Sequence, residues 1–128
     1  MTGWTSDELA RIGGSEELQI APRRRDGSPR RSVPIWVVRA GDDLYVRSWR
    51  GAAGSWYRTA RATHEAHISA GGVEKDVSLA EVGDEAGDAV DAAYRTKYGR
   101  YSSYVEPMIA TQARATTLKL APSGERIA

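Results

Sequence analysis

The stretch RRSVPIWVVRAGDDLYVRSW, residues 30–49, decides how this chain folds. Its first part, Ser32 to Ala40, is rich in Val, Ile and Trp, the residues that favour a pleated surface, and reads as a central strand with both faces covered. Pro34 cannot donate to a ladder, so it marks an edge segment or a bulge near the beginning of that strand. Gly41-Asp42-Asp43 turns the chain, and Leu44 to Trp49 is the next strand. Upstream, Glu17 to Arg24 alternates with Leu18 and Ile20 on one face. Asp26-Gly27, lengthened by Ser28-Pro29, joins that run to the central strand as a hairpin.

Working outward, Thr5 with Glu8 three residues later is a capping-box signature, and Leu9 and Ile12 follow before Gly13-Gly14, so a short helix covers residues 6–12. Ser55 is placed to cap a helix from Trp56 to Thr63. His64 to Ala70 and Val73 to Val82 are strands about the Gly71-Gly72 turn. From Asp84 to Tyr98 one stripe carries Ala86, Val90, Tyr94 and Tyr98, the mark of a helix, and Gly99 ends it. Residues 100–113 read as a broken helix and Ala115 to Ala121 as a sixth strand. The order is α-βββ-α-ββ-α-β, which has no βαβ period and so excludes a doubly wound sheet. The expected fold is mainly β with peripheral helices, a six-stranded antiparallel, partly open barrel. Residues 1–16 are its N-terminal helix and lead-in, 17–122 the barrel domain, and 123–128 a flexible tail.

The chain of 128 residues suits one domain. It has no cysteine, which removes disulfides, thiolate metal sites and cysteine nucleophiles. The N-terminus lacks an apolar export segment and no run approaches the roughly 20 residues of a membrane span, so a soluble cytoplasmic protein is expected. The net charge of +1 hides an asymmetry: residues 1–61 carry +4 and residues 62–128 carry −3. Ten arginines lie between Arg23 and Arg61 against Asp26, Asp42 and Asp43.

Arg23, Arg24 and Arg25 face Arg30 and Arg31 across the hairpin, a crowding of like charge that an anion or solvent must relieve. Arg47, Ser48 and Arg50 end the next strand, Gly51 permits close backbone approach, and the helix starting at Trp56 offers free N–H groups to a phosphate. Trp56 and Tyr57 supply a flat apolar wall. The alternative for each arginine is a solvated side chain. His64 and His67, three apart on a strand, fall on opposite faces and do not form a metal pair, so no metal is expected. The acids Glu81, Asp84, Glu85, Asp88 and Asp91 complement a helix N-terminus. Tyr94, Tyr98, Tyr101 and Tyr104 form a core or dimer stripe, and Trp36 belongs to the core or a subunit interface.

Three segments carry a resemblance to a known family: DGSPRRSVP (26–34), GDDLYVRSWRG (41–51) and WYRTARA (56–62). They are similar to the deazaflavin-dependent nitroreductase group of the split-barrel superfamily, which includes pyridoxamine-phosphate oxidases. That group's pattern is a Ser-Gly-x-Pro-Arg-x-Thr-Pro hairpin, a strand ending Ser-x-Gly-Gly, and a Trp-Tyr-x-Asn-Leu helix. The likeness covers about residues 17–122 and extends to a sub-family known only as a domain of unknown function. Departures stand at Ala52 for the second Gly, Thr59 for Asn and Ala60 for Leu.

The resemblance implies a six-stranded split barrel, commonly a homodimer, that binds a deazaflavin coenzyme or FMN. It carries cofactor binding onto Arg30, Ser32, Ser48, Arg50, Gly51, Trp56 and Tyr57. The implied activity is reduction of nitro or quinone acceptors; no residue is assigned as catalytic, with Tyr98 or Tyr101 the candidate proton donor. A non-catalytic flavin, haem or anion carrier of the same fold is the alternative. Nucleic-acid binding is disfavoured by the near-neutral charge and by the absence of aromatics among Arg23 to Arg31.

Overall fold

The computed structural model describes residues 3–122, so Met1, Thr2 and the tail expected at 123–128 lie outside the described residues. The first helix, α1 (Ser6–Gly13), forms where Thr5 and Glu8 complete a capping box. The strands β1 (Leu18–Pro22), β2 (Val33–Ile35), β3 (Val38–Ala40) and β4 (Asp43–Val46) follow in sequence. Next come α2 (Ser55–Thr63), the hairpin β5 (Glu65–Ala70) and β6 (Val73–Glu81), then α3 (Gly87–Tyr98), α4 (Ser102–Ile109), the single turn α5 (Thr111–Arg114) and β7 (Leu118–Pro122). Gly71 and Gly72, at φ of 58° and 85°, supply the two left-handed residues of the tight turn between β5 and β6.

One seven-stranded sheet results, in the order β2-β1-β5-β6-β7-β4-β3, and every pairing is antiparallel. β2 and β3 are its two edges, yet only Trp36 and Val37 separate them in sequence. Seven strands laid flat would put the edges about 29 Å apart at the usual strand spacing. The link from Ile35 to Val38 spans at most about 11 Å. The sheet is therefore curled into a half-barrel, a split-barrel-like fold of mixed α/β composition.

This corrects the sequence reading in three places. The fold is mixed and not mainly β, because helices are as prominent as strands. Among the described residues there are seven strands and not six, because Ser32 to Ala40 is broken at Trp36-Val37 where it crosses from one edge to the other. That stretch is consequently not a central strand; Pro34, with no N–H to donate, sits at an edge opposite Gln19. The strand covered on both faces is β4, whose Leu44 and Val46 enter the barrel interior while Tyr45 faces α3. Residues 100–113 fold as a 3-10 turn followed by α4 and α5.

Two apolar clusters hold the molecule. The barrel interior joins Leu18, Ile20, Ile68, Val77, Leu118 and Leu120 to Leu9 and Ile12 of α1 and to Tyr57 and Ala60 of α2. The second cluster sets Val38 and Tyr45 against Val90, Tyr94, Tyr98, Val105 and Met108 of α3 and α4. Each fully buried side chain of this size contributes about 1.5–3 kcal/mol. Among the described residues no helix is long and apolar enough to cross a membrane.

The barrel's crossing point has its own fastening. Val37, between two strands, takes no part in the ladder pairings. Its N–H donates to the Tyr98 hydroxyl at 3.3 Å, and its carbonyl accepts from Lys97 Nζ at 2.6 Å. The Tyr98 hydroxyl in turn donates to the Glu16 carbonyl at 2.8 Å. The Trp36 indole stacks on the Tyr98 ring, centroids 3.8 Å apart and planes 2° from parallel. Burial pushes the Tyr98 phenol up.

Candidate functional site

Three of the four tryptophans line one cleft of about 250 Å³: Trp36 from the crossing link, Trp49 beyond β4 and Trp56 from the first turn of α2. Tyr104 and Met108 of α4 complete the apolar walls, and Glu17 and Arg47 are the charged residues lining it. Trp49 and Tyr104 are 48% and 57% exposed, with ring centroids 6.2 Å apart, so the mouth of the cleft is aromatic and open to solvent. The cleft lies just under the roughly 300 Å³ at which ligand pockets begin, so the space it encloses is no larger than a flat ring system needs.

The sequence-derived residues gather unevenly around this cleft. Trp56 lines it, and Tyr57 beside it is buried in the barrel interior with its phenol pushed up by that burial. Arg30 reaches the same helix, donating through Nη1 to the Ser55 carbonyl at 2.5 Å and to Thr59 Oγ1 at 3.0 Å. Ser48 is buried, and its Oγ has no hydrogen-bond partner. That oxygen lies against Gly54, the N-cap of α2, where an added Cβ would come within 2.3 Å of it. Gly51 has φ of 63° and is buried against Gln112, which a Cβ would approach to 3.2 Å. Its close backbone approach is therefore toward α5. Arg50 is exposed beside it, and Ser32 is exposed just before β2; no hydrogen-bond partner is found for either side chain among the described residues. Arg30, Ser48, Trp56 and Tyr57 thus meet at the start of α2, while Ser32 stands apart. Ser55 is inside that helix, with Gly54 as N-cap and no side-chain cap.

Arg47 is not among the residues carried over, yet it is the most enclosed charge among the described residues. Its Nε donates to Thr117 Oγ1 at 2.9 Å, Nη1 to Asp91 Oδ1 at 2.5 Å and to the Met108 carbonyl at 2.9 Å, and Nη2 to the Gly87 carbonyl at 3.3 Å. Asp91 also accepts from Arg114 at 2.9 Å, and Arg114 reaches Asp84 and Asp88. The acids read as helix-dipole partners therefore hold two arginines as well. The surface histidines pair with acids: His64 with Glu81 at 3.2 Å, and His67 with Asp76 at 3.0 Å and Glu74 at 3.3 Å. The Asp76 hydrogen bond raises the His67 imidazole above its ordinary range.

Trp36, Trp49, Tyr104 and Arg47 are what sequence reasoning missed at this cleft. The core reading of Trp36 holds, since it packs against the α3–α4 cluster, but its second role in the cleft has no local signal. Tyr104 departs from the core stripe of Tyr94 and Tyr98 and is exposed at the cleft mouth. The clustering of tryptophan near strand ends was the available signal.

The chain belongs to the family described as an uncharacterized protein conserved in bacteria (DUF2255), whose model matches residues 8–120. No curated protein matches it in sequence. Among solved structures it is similar to a protein of unknown function from Agrobacterium tumefaciens str. C58, with TM-score 0.61, 11% identity, and coverage of 95% of this chain and 57% of that one. The chain thus spans little over half the length of that relative. A conserved hypothetical protein from Mycobacterium tuberculosis gives TM-score 0.59 at 12% identity, over 98% of this chain and 83% of that one. A structure described as a FAD-binding protein, from Mesorhizobium loti, gives 0.54 at 16% identity, over 93% and 88% of the two chains. At these identities the likeness is one of fold.

Proposed function

From membership of that family and a split-barrel-like fold, we propose that the chain is a flavin- or deazaflavin-dependent oxidoreductase acting on nitro or quinone acceptors. The observation that carries this reading is the convergence of Trp36, Trp49 and Trp56 on one cleft beside the helix start where Ser48 Oγ is buried without a partner. These residues fit a phosphorylated flavin: aromatic walls for the ring, and an orphaned hydroxyl, an arginine and the first turn of α2 for the anion. Trp36 and Trp56 would flank the ring. Arg30, Ser48 and Arg50 would face the phosphate, Ser32 and the Gly51 backbone dropping out of the set, and Tyr57 would hold Trp56 through their edge contact, centroids 6.1 Å apart.

When bound, a cofactor of this class supplies the hydride chemistry. The protein's part is to orient the ring and exclude water, for which Trp49 and Tyr104 stand at the mouth. Tyr98 is poorly suited to protonate a substrate, because its hydroxyl already donates to the Glu16 carbonyl. Among the described residues lining the cleft, Tyr104 is the tyrosine. A second copy of the chain closing the open side belongs to the same proposal.

Titration with FMN and with reduced deazaflavin coenzyme, followed by tryptophan quenching, tests the reading. Binding at micromolar concentration is expected for one of them, and failure of both would sink it. Arg50→Ala is expected to weaken the phosphorylated ligand about five- to tenfold while sparing the dephosphorylated analogue, as for loss of one charge-assisted contact. Equal losses for both would remove Arg50 from the site. The engagement of Tyr98 favours one other reading, a carrier of the same ligand, for which binding without turnover of any nitro or quinone acceptor is the expected result.

A further inference from the structure

We propose that Lys97 is a carbonyl-trapping amine in a groove that takes a small aldehyde bearing a carboxylate. The groove, about 490 Å³, lies between α3 and the β3 edge, and no residue lining it lines the tryptophan cleft. Ala89, Ala92 and Ala93 keep one wall low, Arg39 lines the other, and Lys97 stands at one end of the α3 segment that borders it.

The surroundings of Lys97 differ from those of an ordinary surface lysine. Nζ donates to the Val37 carbonyl and lies 5.0 Å from the centre of the Tyr98 ring. No carboxylate among the described residues comes within ion-pair distance of it, whereas Lys75 holds Glu8 at 2.7 Å. The charged and titratable groups around it are few. Glu16 acts on it through space and is itself paired with Arg100 at 3.1 Å, Tyr98 lies beneath it, and Arg39 shares the groove. Burial pushes the ammonium down to about 8. At pH 8 about half of such amines are neutral, against well under 1% for an ordinary lysine.

A neutral Nζ attacks the aldehyde carbon and a C–N bond forms. The carbonyl oxygen then leaves as water, carrying the two protons that Nζ gives up, and an imine remains. No oxidant or reductant is required. Arg39 supplies the preference for a carboxylate: its Nε bonds the Gly41 carbonyl, and its Nη2 is only 3.5 Å from the almost fully exposed Asp42, which leaves donors for an anion. The alanine wall limits the ligand to a small one.

The test treats the full chain with glyoxylate and sodium borohydride at pH 8 and maps the reduced adduct by peptide mass. The expected result is modification of Lys97 more than tenfold faster than of Lys75 or Lys119, with glyoxylate outpacing acetaldehyde. Lys97→Arg abolishes the fast reaction, and Arg39→Ala brings glyoxylate down to the acetaldehyde rate. Equal modification of the three lysines, or equal rates for the two aldehydes, would overturn the proposal.

Discussion

Arg47 and Lys97 illustrate two ways in which this protein encloses a positive charge. Arg47 is buried with acceptors on four of its five N–H donors and with Asp91 as its ion partner. Removing the guanidinium leaves Asp91 Oδ1 and the Thr117, Met108 and Gly87 acceptors without their donor, while Arg114 still holds Asp91 Oδ2. Arg47→Met is therefore expected to cost about 3–5 kcal/mol in urea unfolding. Adding Asp91→Leu should recover part of that loss, and no recovery would show that Arg114 alone satisfies the carboxylate. Lys97 has no such ion partner among the described residues, and burial lowers its pKa to about 8. Between that value and the roughly 10.4 of an unfolded lysine, the unfolded chain binds more protons, so stability rises with pH across the window. The corresponding contribution is complete above the unfolded value and is lost as pH falls through about 8. Lys97→Met should flatten stability against pH in that range, and an unchanged slope would show that Lys97 is not the titrating group.

At the scale of elements, the break at Trp36-Val37 matters most. It lets one continuous apolar run serve both edges of the sheet, and α3 secures it through Tyr98 and Lys97. Tyr98→Phe leaves the buried Val37 N–H without an acceptor and keeps the ring stack. The expected loss is about 1–3 kcal/mol, the desolvation cost of one unsatisfied group. Circular dichroism against temperature measures it, and a change of a few tenths would mean that another group has taken over the acceptor role. Most element types were legible because their signals are local: the capping box at Thr5 and Glu8, the turns at Asp26-Gly27 and Gly71-Gly72, and the helical stripe ending at Tyr98. The break was not, because Val, Ile and Trp favour strand on either side of it and nothing local distinguishes a crossing from a continuation. Only Pro34 carried a trace of it.

For the whole molecule, β7 is the keystone, since it pairs with β6 on one side and β4 on the other. A chain ending at Thr116 is expected to show no cooperative thermal transition, because its loss separates the β4–β3 pair from the rest of the sheet. A sharp transition near the intact value would mean that the half-barrel does not depend on this strand. The two apolar clusters meet on opposite faces of β4, which ties the barrel interior to the α3–α4 layer in one cooperative unit.

The sequence by itself determined the antiparallel, hairpin-built character of the sheet, the framing helices, the family likeness and the concentration of arginine in the first half. These follow from residue periodicity, turn chemistry and composition, which act over a few neighbours. Which arginines are enclosed was decided only in three dimensions. Arg47 is buried because Asp91, Gly87, Met108 and Thr117, all at least forty residues away, converge on it. Arg30 lies against α2, and Gly51 turns toward Gln112. The cleft itself is a tertiary product. Trp36, Trp49, Trp56 and Tyr104 come from a crossing link, a strand end and two helices, and no spacing along the chain encodes their meeting. It arises because the two sheet edges, joined by two residues, can close only by curling.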